Sequence, residues 1–256
     1  VAFGWRGTLL TAGAVALLLA ALIWLVVRDK PADGSPDHLE HPHDSILGGL
    51  KAALREPQTW VLSGIGMMQA APLLAFAGLW AVPYAMTAWG LERPAAAGMA
   101  SLVLLGWAAG GPIQGWLSDR MGRRRLPIVV AGGVALVTIL AIVYVPGLPL
   151  WLAQILFVAN GFACALMPVV FASTREANPR AVGPALAIVN MATVSSGALF
   201  QPLVGWMLDR AWDGTLVAGA RVYSVDAFRY AFLSLAAAAF LGFALAFWVR
   251  ERRPGV

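Results

Sequence analysis

Charged residues in this chain are kept out of seven apolar stretches, each about long enough to cross a bilayer. The stretches run over residues 7–27, 58–88, 94–118, 126–146, 149–172, 183–208 and 226–250. Nearly every Asp, Glu, Lys and Arg falls between them or at their ends. A charge in the hydrocarbon core costs several kcal/mol, so this segregation reads as an all-α integral membrane protein that crosses the bilayer many times. Composition agrees: 60% of residues are hydrophobic and 12% charged, about half the usual charged share of a soluble domain. Mean hydropathy is +0.75. The net charge of +5 has no soluble domain to carry a basic face, so no nucleic-acid partner is expected and the excess reads as topology-setting loop charge. The single cysteine, Cys164, lies in the fifth stretch and cannot form an intrachain disulfide.

Counting Lys and Arg in alternate connections orients the chain. One side holds Arg28, Lys30, Lys51, Arg55, Arg120, Arg123, Arg124, Arg125, Arg175, Arg180, Arg250, Arg252 and Arg253; the other holds Arg6, Arg93, Arg210, Arg221 and Arg229. That is 13 against 5, so the first side is expected to be cytoplasmic, with the C-terminal tail inside. A bacterial inner (plasma) membrane is the expected location. Trp5, Trp24, Trp60, Trp89, Trp151, Trp206 and Trp248 lie near span edges, where an indole prefers the headgroup layer.

The longest connection on the basic side, residues 29–57, begins rich in Pro, Asp, His and Gly and ends in Ile46–Arg55. That second half spaces apolar residues as a helix does, which predicts a short amphipathic helix on the membrane surface. Residues 1–28 then read as a transmembrane helix of a preceding bundle, 29–57 as a cytoplasmic linker and 58–256 as a six-helix bundle. His38, His41 and His43, with Asp37, Glu40 and Asp44, imitate a metal site. Their spacing is not a usual zinc pattern, so a solvated linker is expected and no metal.

The third stretch ends in Gly115-Trp116-Leu117-Ser118-Asp119-Arg120-Met121-Gly122-Arg123-Arg124-Arg125. Gly115 admits a neighbouring backbone, and Gly122 permits a tight reversal. Asp119 can accept hydrogen bonds from an adjacent helix N-terminus, and the arginines can pair with it or with lipid phosphates. This stretch resembles the signature cytoplasmic loop of the major facilitator superfamily of secondary transporters, G-x-L-x-D-R-x-G-R-R/K. Gly115, Leu117, Asp119, Arg120, Gly122, Arg123 and Arg124 match it. Phe3-Gly4-Trp5-Arg6 resembles the entry to the family's sixth helix, and the long loop after it resembles the family's central loop. The resemblance implies a piece of a longer protein carrying helices six to twelve, with Asp119, Arg120, Gly122, Arg123 and Arg124 in a gating role.

An internal comparison points the same way. Gly115-Trp116-Leu117-Ser118-Asp119-Arg120 recurs as Gly205-Trp206-Met207-Leu208-Asp209-Arg210, with Pro112 answered by Pro202, ninety residues on and three spans later. The copies would face opposite sides of the membrane, an inverted repeat of three plus three helices. Gly106, Gly110, Gly111 and Gly115 give the third span a smooth face for close helix packing.

By that resemblance the second and fifth spans line a central cavity, flanked by the third and sixth. In the second, Gln69, Phe76, Trp80 and Tyr84 recur at helical spacing, and Pro72 and Pro83 can open the backbone. In the fifth, Phe157, Asn160 and Cys164 share a face. In the sixth, Asn190, Thr193, Gly197 and Gln201 form a polar stripe. Two readings stay open for the buried amides: contact with a small-molecule solute, or hydrogen bonds between helices. Trp107 reads as packing. The candidate cavity set is therefore Gln69, Phe76, Trp80, Tyr84, Asn160, Asn190 and Thr193.

No catalytic triad or nucleotide-binding loop stands in the sequence, so neither an enzyme nor a cofactor is expected. The function implied is gradient-driven transport of a small solute by alternating access, with the lipid bilayer and the absent N-terminal helices as partners. The competing class is a transporter-like membrane sensor or assembly protein. All 13 acidic residues lie in loops or at span ends, so any proton-coupling carboxylate is expected in the absent helices. The charge bias predicts that a reporter fused after Val256 of the full-length protein is active only if it matures in the cytoplasm. A fusion active only on the outer side would reverse the topology.

Overall fold

The computed structural model describes residues 4–27, 46–217 and 219–251. The first half of the linker, with His38, His41 and His43, lies outside them. Among the described residues, seven helical segments are long and apolar enough to cross a membrane: Arg6–Val26, Pro57–Trp89, Arg93–Met121, Arg125–Tyr144, Leu150–Ala177, Val182–Arg210 and Val225–Ala246. The chain divides into two units, residues 1–43 and 44–256. The first contains α1 (Gly4–Val26), an apolar helix whose Thr8 and Thr11 hydroxyls donate to the carbonyls of Gly4 and Gly7 within the helix. The second contains everything that follows.

It opens with α2 (Ile46–Arg55). This helix spends part of its apolar side on protein: Ala53 is fully buried with Ala181, Ala185 and Ile188. Leu47, Leu50 and Leu54 stay exposed. Docking on the later chain therefore accompanies any contact with the membrane surface.

The six spans of the bundle fall into two triplets. In the first, the opening span is built of α3 (Pro57–Ala71), a π-helical segment (Pro72–Trp80) and α4 (Ala81–Trp89). It is followed by α5 (Arg93–Met121) and α6 (Arg125–Tyr144). In the second, the opening span is α7 (Leu150–Cys164) plus α8 (Met167–Ala177), then α9 (Val182–Arg210) and α10 (Val225–Ala246). Each opening span is interrupted near its middle at a proline. Pro72 and Pro168 have no N–H to give to a preceding turn, and the ring displaces the carbonyl four residues back. The first span answers by widening into the π segment; the second breaks at Ala165, whose N–H bonds Phe162 O at 3.2 Å.

The middle helices carry the repeat. Both α5 and α9 are 29 residues long, each with its interior proline, Pro112 and Pro202. Adding ninety to five of the eight buried positions of α5 lands on buried positions of α9: Met99 on Val189, Val103 on Thr193, Gly106 on Ser196, Gln114 on Val204 and Ser118 on Leu208. Packing follows the same two-fold. The middle helix of each triplet lies against the opening span of the other, α5 on α7 and α9 on α3, and the third helices α6 and α10 lie against each other. Fold and inverted repeat agree with the sequence reading.

The two crossings are not equally tight. A Cβ on Gly106 would fall onto the Val158 carbonyl and lie 2.9 Å from Phe162 N, and one on Gly161 would fall onto the Val103 carbonyl. These two glycines bring the backbones of α5 and α7 into contact, which no larger residue allows. At the opposite end from the Gly122 turn, an aromatic cluster fills the bundle. Phe76 packs on Phe157 and Phe232 at 5.3 and 5.4 Å between ring centroids, and Tyr84 packs on Phe228 and Phe232 at 5.5 and 5.3 Å. Gly106→Leu or Gly161→Leu is expected to overpack this crossing, at roughly 1–3 kcal/mol or more, and to lower the melting temperature in detergent by several degrees. Gly98→Leu, on α5 with open space around its Cα, is the control. Equal melting of all three would refute the close crossing.

Candidate functional site

Two places gather polar chemistry: the turn between α5 and α6, and a recess where the two triplets meet.

Helix α5 ends at Gly122, which takes the left-handed conformation (φ 60°) and bonds its N–H to Asp119 O at 3.1 Å. That reversal brings Arg124 back over the end of the helix. Its guanidinium donates to Asp119 Oδ1 at 2.6 Å and to Ser118 Oγ at 3.0 Å. It also donates through Nε to Glu176 Oε1 at 2.9 Å, with Nη2 2.8 Å from the same oxygen. Ser118 in turn donates to Arg123 O at 2.9 Å. Arg124 thus clamps the end of the third span to the end of the fifth. Its side chain is 19% exposed and that of Asp119 69%. Burial alone would lower the Arg124 pKa, but the hydrogen bonds to Glu176 and Asp119 outweigh it and raise it. Of the two partners the sequence offered Asp119, a helix N-terminus and the following arginines, it is an arginine, Arg124, that it meets. Arg120 lies over the Trp116 ring at 5.4 Å, and Arg123 is exposed.

The repeat partner of this corner is built alike. Arg210 lies over Trp206 at 4.2 Å. Asp209 accepts from Arg221 and Tyr223, both at 2.7 Å. Arg221 reaches it from a short hairpin, β1 (Leu216–Val217) with β2 (Ala220–Arg221). Arg221 and Tyr223 carried no motif, since only the hairpin fold brings them back to Asp209.

A second tie on the Arg124 side holds the bundle's ends together. Thr59 donates to Asn178 Oδ1 at 3.2 Å, joining α3 to the end of α8. Gln58 donates to Trp248 O at 3.1 Å and accepts from Arg250 N at 2.9 Å, joining α3 to the end of the chain after α10.

The recess, 140 Å³ in volume, draws on the opening and middle helices of both triplets: Gly66 and Gln69 of α3, Trp107 of α5, Cys164 and Met167 of the broken span, and Thr193 of α9. Gln69 is 2% exposed, and neither its Nε2 nor its Oε1 has a partner among the described residues. An unpaired buried amide costs roughly 1–3 kcal/mol. The amide also reaches towards the outer helices, since a Cβ on Gly132 of α6 would lie 2.9 Å from Nε2. Thr193 packs against Gly66 and bonds its hydroxyl to Val189 O at 2.8 Å. Trp107 is 42% exposed.

Other members of the sequence-derived set lie elsewhere. Phe76 and Tyr84 do share a face, 6.1 Å apart between ring centroids, with Gln69 on the same α6–α10 side, but Trp80 departs from it. Phe76 and Tyr84 enter the aromatic core, and Tyr84 donates to Ile142 O at 2.9 Å. Trp80 turns to α9 and donates to Gln201 O at 3.2 Å, while Gln201 Nε2 donates to Leu74 O at 2.9 Å. Asn160 is buried against α6, donating to Thr138 Oγ1 at 2.9 Å. For these residues the geometry is that of helix-to-helix hydrogen bonding. Asn190 is exposed on α9.

An all-α, multi-pass integral membrane protein built on an inverted three-helix repeat, with an Asp–Arg clamp at a Gly-turn between spans, is the architecture of a secondary transporter. The chain belongs to the Major Facilitator Superfamily, whose family model matches residues 73–256. It is 29% identical over 210 residues, 78% of this chain and 49% of theirs, to proteins of two Mycobacterium tuberculosis strains named "Probable nitrate/nitrite transporter NarK2". The chain thus spans about half the length of the curated relatives it matches. Among solved structures it resembles the transporter FucP in the outward conformation, with TM-score 0.68, 18% identity and 93% of this chain against 53% of that one. It also resembles a bacterial homolog of the human lysosomal transporter Spinster, inward-facing, with TM-score 0.68, 19% identity and 98% against 61%.

If Arg124 is the hub of its corner, Glu176→Gln should lower the melting temperature more than Asp119→Asn, because the Asp119 pair is open to solvent and worth under about 1 kcal/mol. Both effects should shrink in an Arg124→Gln background. Full additivity in the double variants would remove the hub.

Proposed function

We propose that this chain supplies one bundle of a secondary transporter that moves a small solute by alternating access, as helices six to twelve of a longer protein. The observation that carries the reading is the recess shared by both triplets, with Gln69 in its wall, whose buried amide lies towards Gly132 and Gly242 and has no partner among the described residues. A buried amide with free donor and acceptor is suited to a solute that brings its own hydrogen-bonding groups. Alternating access rocks one bundle against another about a site between them, and a recess lined by the opening and middle helices of one bundle is half of such a site.

Nitrate and nitrite are the first solutes to test, from the name of the Mycobacterium tuberculosis relatives. In the six spans from Pro57 to Ala246 every charged side chain stands near a span end. An anion would therefore meet amides and aromatic rings in this half, and its counter-charge, like any coupling carboxylate, would come from the other. The Asp119–Arg124–Glu176 clamp would act on the balance between conformations rather than on the solute, since it sits at the end of the bundle.

The test is counterflow of labelled nitrate or nitrite into liposomes holding the full-length protein. Saturable uptake is expected. Gln69→Leu should raise KM roughly tenfold or more, the loss of one or two hydrogen bonds to a charged partner. Asp119→Asn should slow the rate while changing solute affinity by less than about twofold. Solute binding without any uptake would replace transport by a sensor, and an unchanged KM in Gln69→Leu would move the site elsewhere.

A further inference from the structure

A second recess, 220 Å³ in volume, lies on the outside of the bundle between α5, α6 and α7. Leu117 and Met121 of α5, Leu126, Val130 and Val134 of α6, and Phe162 of α7 make it almost wholly apolar. Leu117, Met121, Leu126, Val130 and Val134 are all exposed. Hydrocarbon is the natural filling for such a groove in a membrane-spanning surface. Gln114 also lines it, buried to 5% exposure, with its Nε2 on the Phe162 carbonyl and its Oε1 without a partner among the described residues.

The end of the groove is charged. Met121 and Leu126, which line it, flank Gly122-Arg123-Arg124-Arg125. Arg124 is committed to Asp119 and Glu176. Arg123 and Arg125 are exposed and make no ion pair among the described residues. Helix α6 begins at Arg125 with no side-chain cap and no acidic residue in its first turn. The N–H groups of Arg125 and Leu126 thus have no side-chain cap, and Pro127, next in the turn, has none to give; Asp119 and Glu176 are turned to the Arg124 guanidinium. An uncapped helix N-terminus beside two free arginines is a phosphate site, and here it stands directly over a hydrocarbon groove on the same helix.

We propose that this groove binds an anionic membrane phospholipid. The phosphate sits at the N-terminus of α6 between Arg123 and Arg125, and an acyl chain lies along Leu126, Val130 and Val134. Because Arg124 is held between those two arginines in sequence and clamps Asp119 to Glu176, a lipid at this end is placed to bias the clamp.

The test uses the full-length protein in nanodiscs of phosphatidylglycerol or of phosphatidylcholine. A photo-crosslinking residue at Val130 is expected to capture phosphatidylglycerol; capture of another part of the same protein would show that protein covers the groove, and would overturn the proposal. Native mass spectrometry should show phosphatidylglycerol retained over phosphatidylcholine. Arg123→Gln with Arg125→Gln should cut that retention roughly tenfold or more, from about a fivefold contribution per arginine at a membrane surface. Val134→Trp, a surface change that fills the groove and leaves the charges in place, should cut it as well. Retention unchanged in the arginine double variant would remove the phosphate site, and retention unchanged in Val134→Trp would leave a charged surface with no groove.

Discussion

Hydrocarbon offers a peptide group no hydrogen-bond partner, and every feature of this bundle answers to that constraint. Helices satisfy their own backbones, so the spans are helical. Where a proline removes a donor in mid-span, the backbone needs another arrangement. At Pro72 it widens into a π segment of nine residues; at Pro168 it breaks after Cys164. At both interruptions a neighbouring helix supplies a partner, Gln201 for Leu74 O and Gln114 for Phe162 O. Polar side chains in the spans therefore serve first as repairs to backbone that prolines have opened.

With no hydrophobic force between helices in lipid, association rests on close contact and shared hydrogen bonds. The α5–α7 crossing uses contact: Gly106 and Gly161 remove the side chains that would separate the backbones. The joint of α9 with the first opening span, its partner under the two-fold, seats Thr193 against Gly66 of α3 and adds the hydrogen bonds of Gln201 to the π segment, at Trp80 and Leu74 O. One repeat thus evolved two chemistries for the same joint. The corners diverge similarly. Asp119 finds its arginine five residues on, in a tight turn, while Asp209 finds one twelve residues on, in a hairpin. The shorter loop also ties in Glu176 and so couples two spans.

The two recesses differ in what they leave unsatisfied. The inner one keeps a buried amide without a partner, and the outer one keeps an uncapped helix end with two free arginines above an apolar channel. The buried amide is a cost the fold alone does not offset, whereas the exposed helix end and arginines are met by water or by a phosphate.

Much of this was legible in the sequence because its signals are local or strictly periodic. Charge segregation gave seven spans, and the Gly-Trp-x-x-Asp-Arg recurrence with its prolines gave the inverted repeat, since both follow from what lipid tolerates at each position. The signature loop named the family because its residues serve one turn. Side-chain destinations were another matter. Helical spacing placed Phe76 and Tyr84 on the side of Gln69, and they lie there, but that side is filled by the aromatic rings of α7 and α10, and Trp80 leaves it for α9. Asn160 shared a face with Cys164 as expected, yet which neighbour that face meets depends on how α6 and α7 cross. Glu176, Arg221 and the groove below Arg125 joined their sites only through contacts between elements far apart in the chain. The sequence by itself determined where the chain crosses the membrane and how it repeats, because solvation acts on each segment alone. Only the tertiary structure decided which polar groups are spent on packing and which remain free to bind, because that is settled pair by pair across helix crossings.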